Sequence, residues 1–224
     1  MSQSSEMPLV SVIIASYNHA PYIEASINSV LAQTYPHIEL LVIDDGSSDD
    51  SVERIRRLQH NHGFDVRVQK NQGLAATLND AIARAGGCLI APLGSDDIML
   101  PDRIAKQVAY MTGKPQVGIC AGNIQEIDEH GRPIGKPKNL AFRSLNFEDV
   151  FRDRKPGPPA PTLLFRREAL EQVGCFDPQI RLEYLLIELK ITQAGYRIDI
   201  LPDVLALYRV HATNTYKNYR FMVY

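Results

Sequence analysis

Two adjacent carboxylates, Asp96 and Asp97, close an apolar run from Cys88 to Leu93 and stand just before a segment that Pro101 can open as a helix. A carboxylate pair at the carboxyl end of a strand, with a helix to follow, lies where an open α/β sheet places ligand chemistry. Hard carboxylate oxygens suit Mg²⁺ or Mn²⁺, ions that usually serve phosphate-bearing ligands. Taken alone, the pair reads equally well as a helix cap. Its meaning depends on the other polar strings that end apolar runs: Ser16-Tyr17-Asn18, Asp44-Asp45-Gly46-Ser47, Asn71-Gln72-Gly73 and Tyr208-Arg209-Val210-His211.

These residues need elements to position them. Leu9 to Ala15 and Ile38 to Ile43 are runs of the kind buried on both faces of a parallel sheet. Between them, Pro21 fits the first turn of a helix with Ile23, Ile27, Val30 and Leu31 on one face, which makes a βαβ unit. Asp49 or Asp50 is expected to cap a helix with Val52, Ile55 and Leu58 inward. A short strand at Val66 to Gln69 follows, then a helix carrying Leu74, Leu78, Ile82 and Ala85 that stops at Gly86-Gly87. Beyond the carboxylates, Ile104, Val108 and Met111 line a helix, and Val117 to Ala121 reads as a strand. Residues 128–137 are turn-rich and predict a hairpin connection. Four prolines in the seven residues from Lys155 to Pro161 predict a stiff loop that lines a site. Thr162 to Phe165 is expected as a strand, Arg167 to Val173 and Glu183 to Gln193 as helices, and Arg197 to Leu201 and Leu205 to Val210 as two further strands.

With 224 residues and 45% hydrophobic content, the chain suits one large α/β domain. A formal charge of −2, with Lys and Arg dispersed, gives no electrostatic footprint for a nucleic-acid partner. Cys88, Cys120 and Cys175 are odd in number, lack metal-ligand spacing and lie in or beside apolar segments, so buried free thiols in a reducing, cytoplasmic setting are expected. The opening MSQSSEMP has no signal-peptide pattern, and no apolar run approaches the roughly 18 residues of a membrane helix. The expected organisation is a disordered tail at 1–7 and a single domain at 8–218, with a nucleotide-binding half (8–100) and an acceptor-binding half (101–218). Residues 219–224 end abruptly, as in a piece of a longer chain joined to further domains or lying at the inner face of the membrane.

Together with Gly174-Cys175-Phe176-Asp177, the strings quoted above resemble, in order and spacing, the family-2 glycosyltransferases of the GT-A fold, over nearly the whole chain. The resemblance implies a mostly parallel central sheet flanked by helices, with a small antiparallel portion on the acceptor side. It also implies inverting, metal-dependent transfer of a sugar from a nucleotide-diphospho-sugar, in surface polysaccharide synthesis, to a hydroxyl of a saccharide or lipid-linked saccharide. Ala15, Tyr17, Asn18, Asp45, Asn71, Gly73 and Asp96 fall at the nucleotide-binding positions. Tyr17 can stack on a pyrimidine, and Asp45 can accept the N3–H that uracil offers and cytosine lacks, which favours a UDP-linked donor. Asp97 matches the metal-binding Asp, with Asp96 on the ribose or on the ion's waters. The acid that the family motif often carries two places earlier is replaced by Ser95. His211 resembles a C-terminal His that can complete the metal site and leans the choice of ion from Mg²⁺ towards Mn²⁺.

One position departs from the pattern. The family commonly places its base, the Asp of a Glu-Asp pair, at the start of the helix after the Gly-Gly-Phe-Asp-like turn. This chain has Glu183-Tyr184 there, so Tyr184 occupies the base position. A phenol with a pKa of about 10 is a poor base at neutral pH, which leaves Glu183 as the candidate. Without a base the chain would be a weak or inactive nucleotide-sugar-binding module of a larger glycan-synthesising protein. Glu188, one turn further on, shares the side of Tyr184 and is expected on a solvated face.

Overall fold

In the computed structural model the described residues are 7–137, 141–212 and 214. Met1 to Glu6 of the expected tail, and the whole of 219–224, lie outside them.

The first half alternates strand and helix as the apolar runs require: β1 Val10–Ser16, α1 Ile23–Leu31, β2 Ile38–Asp44, α2 Ser51–His62, β3 Asp65–Val68, α3 Leu74–Arg84 and β4 Leu89–Gly94. The second half holds β5 Ile98–Met99, α4 Arg103–Met111, β6 Val117–Ile127, β7 Arg143–Leu145, α5 Phe147–Phe151, β8 Leu164–Arg166, α6 Arg167–Gln172, α7 Glu183–Gln193 and β9 Arg197–Arg209. All nine strands join one sheet in the order β3-β2-β1-β4-β8-β6-β9-β5, with β7 paired to β9. The β3-β2-β1-β4 segment is parallel. β8 runs antiparallel to both β4 and β6, while β6 and β9 are parallel.

β1 is buried at nearly every position because it lies between β2 and β4 with helices on both faces. Its side chains alternate between two cores. Val12 and Ile14 pack with Ile23, Ile27, Ile55 and Ile104 on one side, and Ile13 packs with Leu78, Ile82, Ile187 and Ile191 on the other.

Several expectations change. Leu31 and Leu74 are exposed, Leu74 because it opens α3 at the rim of the cavity described below. The two strands expected at Arg197 to Leu201 and Leu205 to Val210 are one continuous strand, β9, with its pairing to β6 irregular near Ala121 to Ile124. Pro202 sits exposed at that irregularity, and Asn123 Nδ2 donates to the carbonyls of Leu201 (3.2 Å) and Pro202 (2.8 Å). Within the connection expected at 128–137, the chain turns tightly over 128–132 and Ile127 bridges antiparallel to Pro133. Cys120 is buried and Cys175 half-buried, but Cys88, just ahead of β4, is exposed; all three thiols are free. Among the described residues no helix is long and apolar enough to cross a membrane.

Candidate active site

The ends of β1, β2 and β4 lie side by side, with Ser16 opposite Asp44 and Ala15 opposite Gly94. Their polar tails are tied together. Asp44 is buried and accepts from the amide (2.8 Å) and hydroxyl (2.6 Å) of Ser47, so it shapes a turn. Asn18, at φ 53°, donates its amide to Ser47 Oγ and accepts from the Ser48 amide, each at 2.8 Å, which fastens the two loops to each other. Asp45 is 4% exposed. Its Oδ1 accepts from the Gln72 amide (3.0 Å) and Gln69 Nε2 (2.9 Å), and Oδ2 accepts from the Gly73 amide (2.9 Å). A carboxylate oxygen offers about two lone pairs, so Oδ2 retains one.

Gly46 is required twice over: φ is +82°, and an added Cβ would meet the Asn71 amide nitrogen at 2.9 Å. At Gly73 a Cβ would meet nothing within 4 Å, so φ +88° at the start of α3 is what calls for glycine. Asn71 is exposed, and the Tyr17 ring is half-exposed beside these loops.

The carboxylate pair divides into two roles. Beyond β4 the Asp97 amide donates to the Gly94 carbonyl at 3.1 Å, and Asp97 Oδ1 accepts from the Arg209 amide at 2.9 Å. Asp97 is 4% exposed, and burial, with Asp96 beside it, pushes its carboxyl well above the usual range. Asp96 is less buried, and its Oδ2 lies 2.9 Å from Nε2 of the buried His211. The carboxylate brought to His211 is therefore Asp96, whereas Asp97 is folded into the turn beneath it. Arg209 fixes the arrangement by donating to the carbonyls of Asp96 (2.8 Å), Asp128 (3.1 Å) and Glu129 (3.2 Å), with its guanidinium 4.9 Å from the Tyr22 ring centre.

A residue that sequence reasoning missed joins them. His19, just past β1, has Nδ1 2.7 Å from Ser95 Oγ, and its ring centre lies 5.7 Å from that of His211. Burial lowers its pKa, while the Asp96 carboxylate works in the opposite direction. His19, Asp96 and His211 each offer one ligand atom, and these atoms lie within 4.8 Å of one another. Ligands across one divalent ion, at bonds of about 2.0–2.3 Å, span about 4–4.6 Å. Two imidazoles and a carboxylate are also suitable donors, so the trio fits a single cation. The signal in the sequence was a His one place beyond Tyr17-Asn18, with no partner visible nearby.

Beside this group lies a cavity of about 410 Å³. It is lined by Ala15, His19 and the Gly94–Asp97 turn, by residues 181–185, by Leu74 and Leu78 of α3, and by Ala160 and Pro161. Glu183 opens α7 and lines the cavity, and burial raises its carboxyl above the ordinary value. Tyr184 packs edge-on to Phe176 at 5.7 Å, and burial and Glu183 push its phenol higher still, so it is no base. Glu188 is not on a solvated face: it is 7% exposed, and burial pushes its carboxyl up to about 8. Tyr17, Asn18, Asp45, Asn71 and Gly73 do not line this cavity; they lie on the loops that lead into α1, α2 and α3.

The proline-rich loop reaches the cavity through Ala160 and Pro161, as expected, and it is held from behind. Arg103 is fully buried and donates to the carbonyls of Pro161 (2.6 Å) and Leu163 (2.8 Å) and to Gln107 Oε1 (3.0 Å). Gln107 Nε2 donates in turn to the carbonyls of Thr162 (2.7 Å) and Cys120 (2.8 Å).

A mostly parallel sheet with helices on both faces, antiparallel strands in its second half and acidic turns at its strand ends defines the GT-A fold. Residues 11–174 match the profile of glycosyl transferase family 2, and the chain belongs to that family. It is 34% identical over 219 residues to an uncharacterized glycosyltransferase of Nostoc sp., covering 92% of this chain and 66% of that protein. It is 29% identical over 203 residues to the poly-beta-1,6-N-acetyl-D-glucosamine synthase of Staphylococcus aureus, covering 88% of this chain and 49% of the synthase. The chain thus spans about half to two thirds of the length of these relatives. Among solved structures, the mannosyltransferase PcManGT from Pyrobaculum calidifontis, in complex with GDP-Man and Mn²⁺, superposes with a TM-score of 0.74 at 23% identity, over 95% of this chain and 60% of that one. S. aureus TarS 1–349 in complex with UDP-GlcNAc also gives 0.74, at 19% identity, over 94% of this chain and 61% of that one.

Proposed function

We propose that this domain, spanning 8–218, is an inverting, divalent-metal-dependent glycosyltransferase that moves a sugar from a UDP-linked donor to a hydroxyl of a saccharide or lipid-linked saccharide. The observation that carries the reading is one cavity lined by Asp96 and His19 together with Glu183. Inversion requires the base and the leaving diphosphate to lie on opposite sides of the anomeric carbon. Tyr17 stacks on the base, Asp45 accepts from it through its remaining lone pair, and the loops at Asn18, Asn71 and Gly73 shape the nucleoside site beside Ala15. Asp96 and His211 hold the cation, Mn²⁺ in preference to Mg²⁺. A divalent cation there screens the diphosphate and stabilises the charge that develops on it. Glu183 takes the proton from the acceptor hydroxyl as that oxygen bonds to the anomeric carbon, and the bond to the diphosphate oxygen breaks with its electron pair leaving on the diphosphate. The similarity to the S. aureus poly-beta-1,6-N-acetyl-D-glucosamine synthase supports polysaccharide synthesis as the setting.

Transfer or hydrolysis of UDP-sugars with Mn²⁺ tests the assignment. Asp96→Ala is expected to lower kcat about 100-fold or more, and Glu183→Gln by about 10²–10⁴-fold. Wild-type rates in Asp96→Ala would sink the metal assignment. A second reading, a binding module without turnover, is favoured by Tyr184 standing at the base position. Calorimetric UDP binding with no turnover across a broad acceptor panel, and a Glu183→Gln variant indistinguishable from wild type, would establish it.

A further inference from the structure

Ser95 stands directly before the carboxylate pair, and its hydroxyl lies 2.7 Å from Nδ1 of His19. We infer that His19 is a third protein ligand of the cation and Ser95 its orienting partner, which makes a two-histidine, one-carboxylate centre that selects Mn²⁺ over Mg²⁺. The inference rests on the reading that Asp96 and His211 hold the cation.

Three independent features support it. His19, Asp96 and His211 bring their ligand atoms within 4.8 Å of one another from three separate segments: the turn after β1, the turn after β4 and the residues beyond β9. The His19 ring is held at both ends of the residue, since its amide donates to Ser51 Oγ at 3.1 Å and its Nδ1 sits 2.7 Å from Ser95 Oγ. Ser51 is itself fixed by Asp49, whose Oδ1 accepts from the Ser51 amide at 3.0 Å, and Asp49 Oδ2 accepts from the Ala20 amide at 2.9 Å. With Nδ1 committed to the serine, Nε2 is the nitrogen left for an ion. A ligating imidazole almost always uses its other nitrogen in this way, and losing such an outer partner typically lowers metal affinity 10–100-fold. Ser95 is 3% exposed, so its hydroxyl is shielded from water that would compete for the imidazole.

The chemistry of the donors sets the preference. Mg²⁺ is bound through oxygen and keeps several waters, whereas imidazole is acceptable to Mn²⁺ and to the later divalent metals. An imidazole brought in from another loop adds a protein ligand without adding negative charge to the site. Ser95 supplies no ligand atom of its own; it acts through His19 and is a positioning residue.

The test is Mn²⁺ binding followed by pulsed electron paramagnetic resonance on the whole chain, with Mn²⁺ alone and with Mn²⁺ plus UDP. Wild type is expected to show two directly coordinated imidazole nitrogens, and His19→Ala and His211→Ala one each. His19→Ala should bind Mn²⁺ about 10–100-fold more weakly and Ser95→Ala about 10-fold more weakly. His19→Asp should regain affinity while shifting the Mn²⁺/Mg²⁺ preference towards Mg²⁺. Unchanged nitrogen couplings in His19→Ala, with Asp96→Asn losing Mn²⁺, would overturn the role of His19 and leave the Asp96–His211 reading standing. No Mn²⁺ binding by wild type, with or without UDP, would overturn both.

Discussion

Glu183 and Glu188 lie five residues apart on α7, and burial raises both carboxyls. Their consequences differ because only Glu183 lines the cavity. As a general base Glu183 has to be ionised, so the acid limb of the kcat/KM profile is expected above the ordinary Glu value of about 4.3. Glu183→Gln should remove that limb together with the rate; a limb that stays in place in this variant would exclude Glu183 as its origin. Glu188 acts on stability. Its carboxyl is pushed from 4.5 up to about 8 in the folded protein. Below the unfolded value both states hold the proton and nothing is lost. Between that value and about 8 the unfolded chain gives up its proton more readily than the folded one, so stability falls as pH rises. Glu188→Gln should therefore match wild type near pH 4 in thermal melts and exceed it increasingly towards pH 8. A constant difference across that range would refute the buried-acid account.

The divided pair at Asp96 and Asp97 shows what sequence can and cannot supply at this scale. The adjacent acids, their place after a strand and their kinship with His211 were all legible in residue types and order. Which acid turns towards the histidine was not, because it depends on Arg209 donating its amide to Asp97 from 112 residues away. His19 was illegible for the same reason, since its partner Ser95 is 76 residues distant.

Elements were legible in proportion to their length and periodicity. β1, β2, α3, α4 and α7 show clear apolar runs or a helical stripe and fall close to their expected bounds. β5 and β7, of two and three residues, are too short to carry a pattern, and the bend at Pro202 disguised one strand as two. The wall formed by the proline-rich loop depends on an element that does not touch the cavity. Arg103 on α4 satisfies two loop carbonyls and Gln107 in a fully buried setting, where burial pulls its pKa down to about 9. Arg103→Met would leave those acceptors unpaired, and each buried unsatisfied group costs about 1–3 kcal/mol. Chemical denaturation should show a loss of at least about 2 kcal/mol, whereas a change under about 0.5 kcal/mol would mean that the clamp is dispensable. Gly46→Ala combines a positive φ with a clash against the Asn71 amide, so it should weaken UDP binding measured by calorimetry as the two loops part.

For the molecule as a whole, the candidate site joins parts of the sheet that are remote in sequence. Asp96 and His211 are 115 residues apart, and the cavity takes its walls from both halves of the chain. A ligand bound at such a junction stabilises the folded state by mass action, about 2.7 kcal/mol at a hundred times its dissociation constant. UDP and Mn²⁺ together are expected to raise the melting temperature more in wild type than in Asp96→Ala; equal shifts would argue that the pair binds elsewhere.

β9 carries a consequence for how the molecule is made. It lies between β6 and β5, and its end delivers the Arg209 amide to Asp97 and leads directly to His211. Domains assemble broadly in the order in which they emerge during synthesis, and contacts of long sequence separation form slowly. The βαβ core can therefore close before β9 docks, leaving Asp96 and Asp97 on a turn without their partners. In native-state hydrogen exchange, the amides of 204–209 should open at lower free energy than those of β1. Under the proposed role of Asp96 and His211, cation capture would then act as a checkpoint on assembly, because a nascent or partly opened chain lacks His211 in place until the last strand is home.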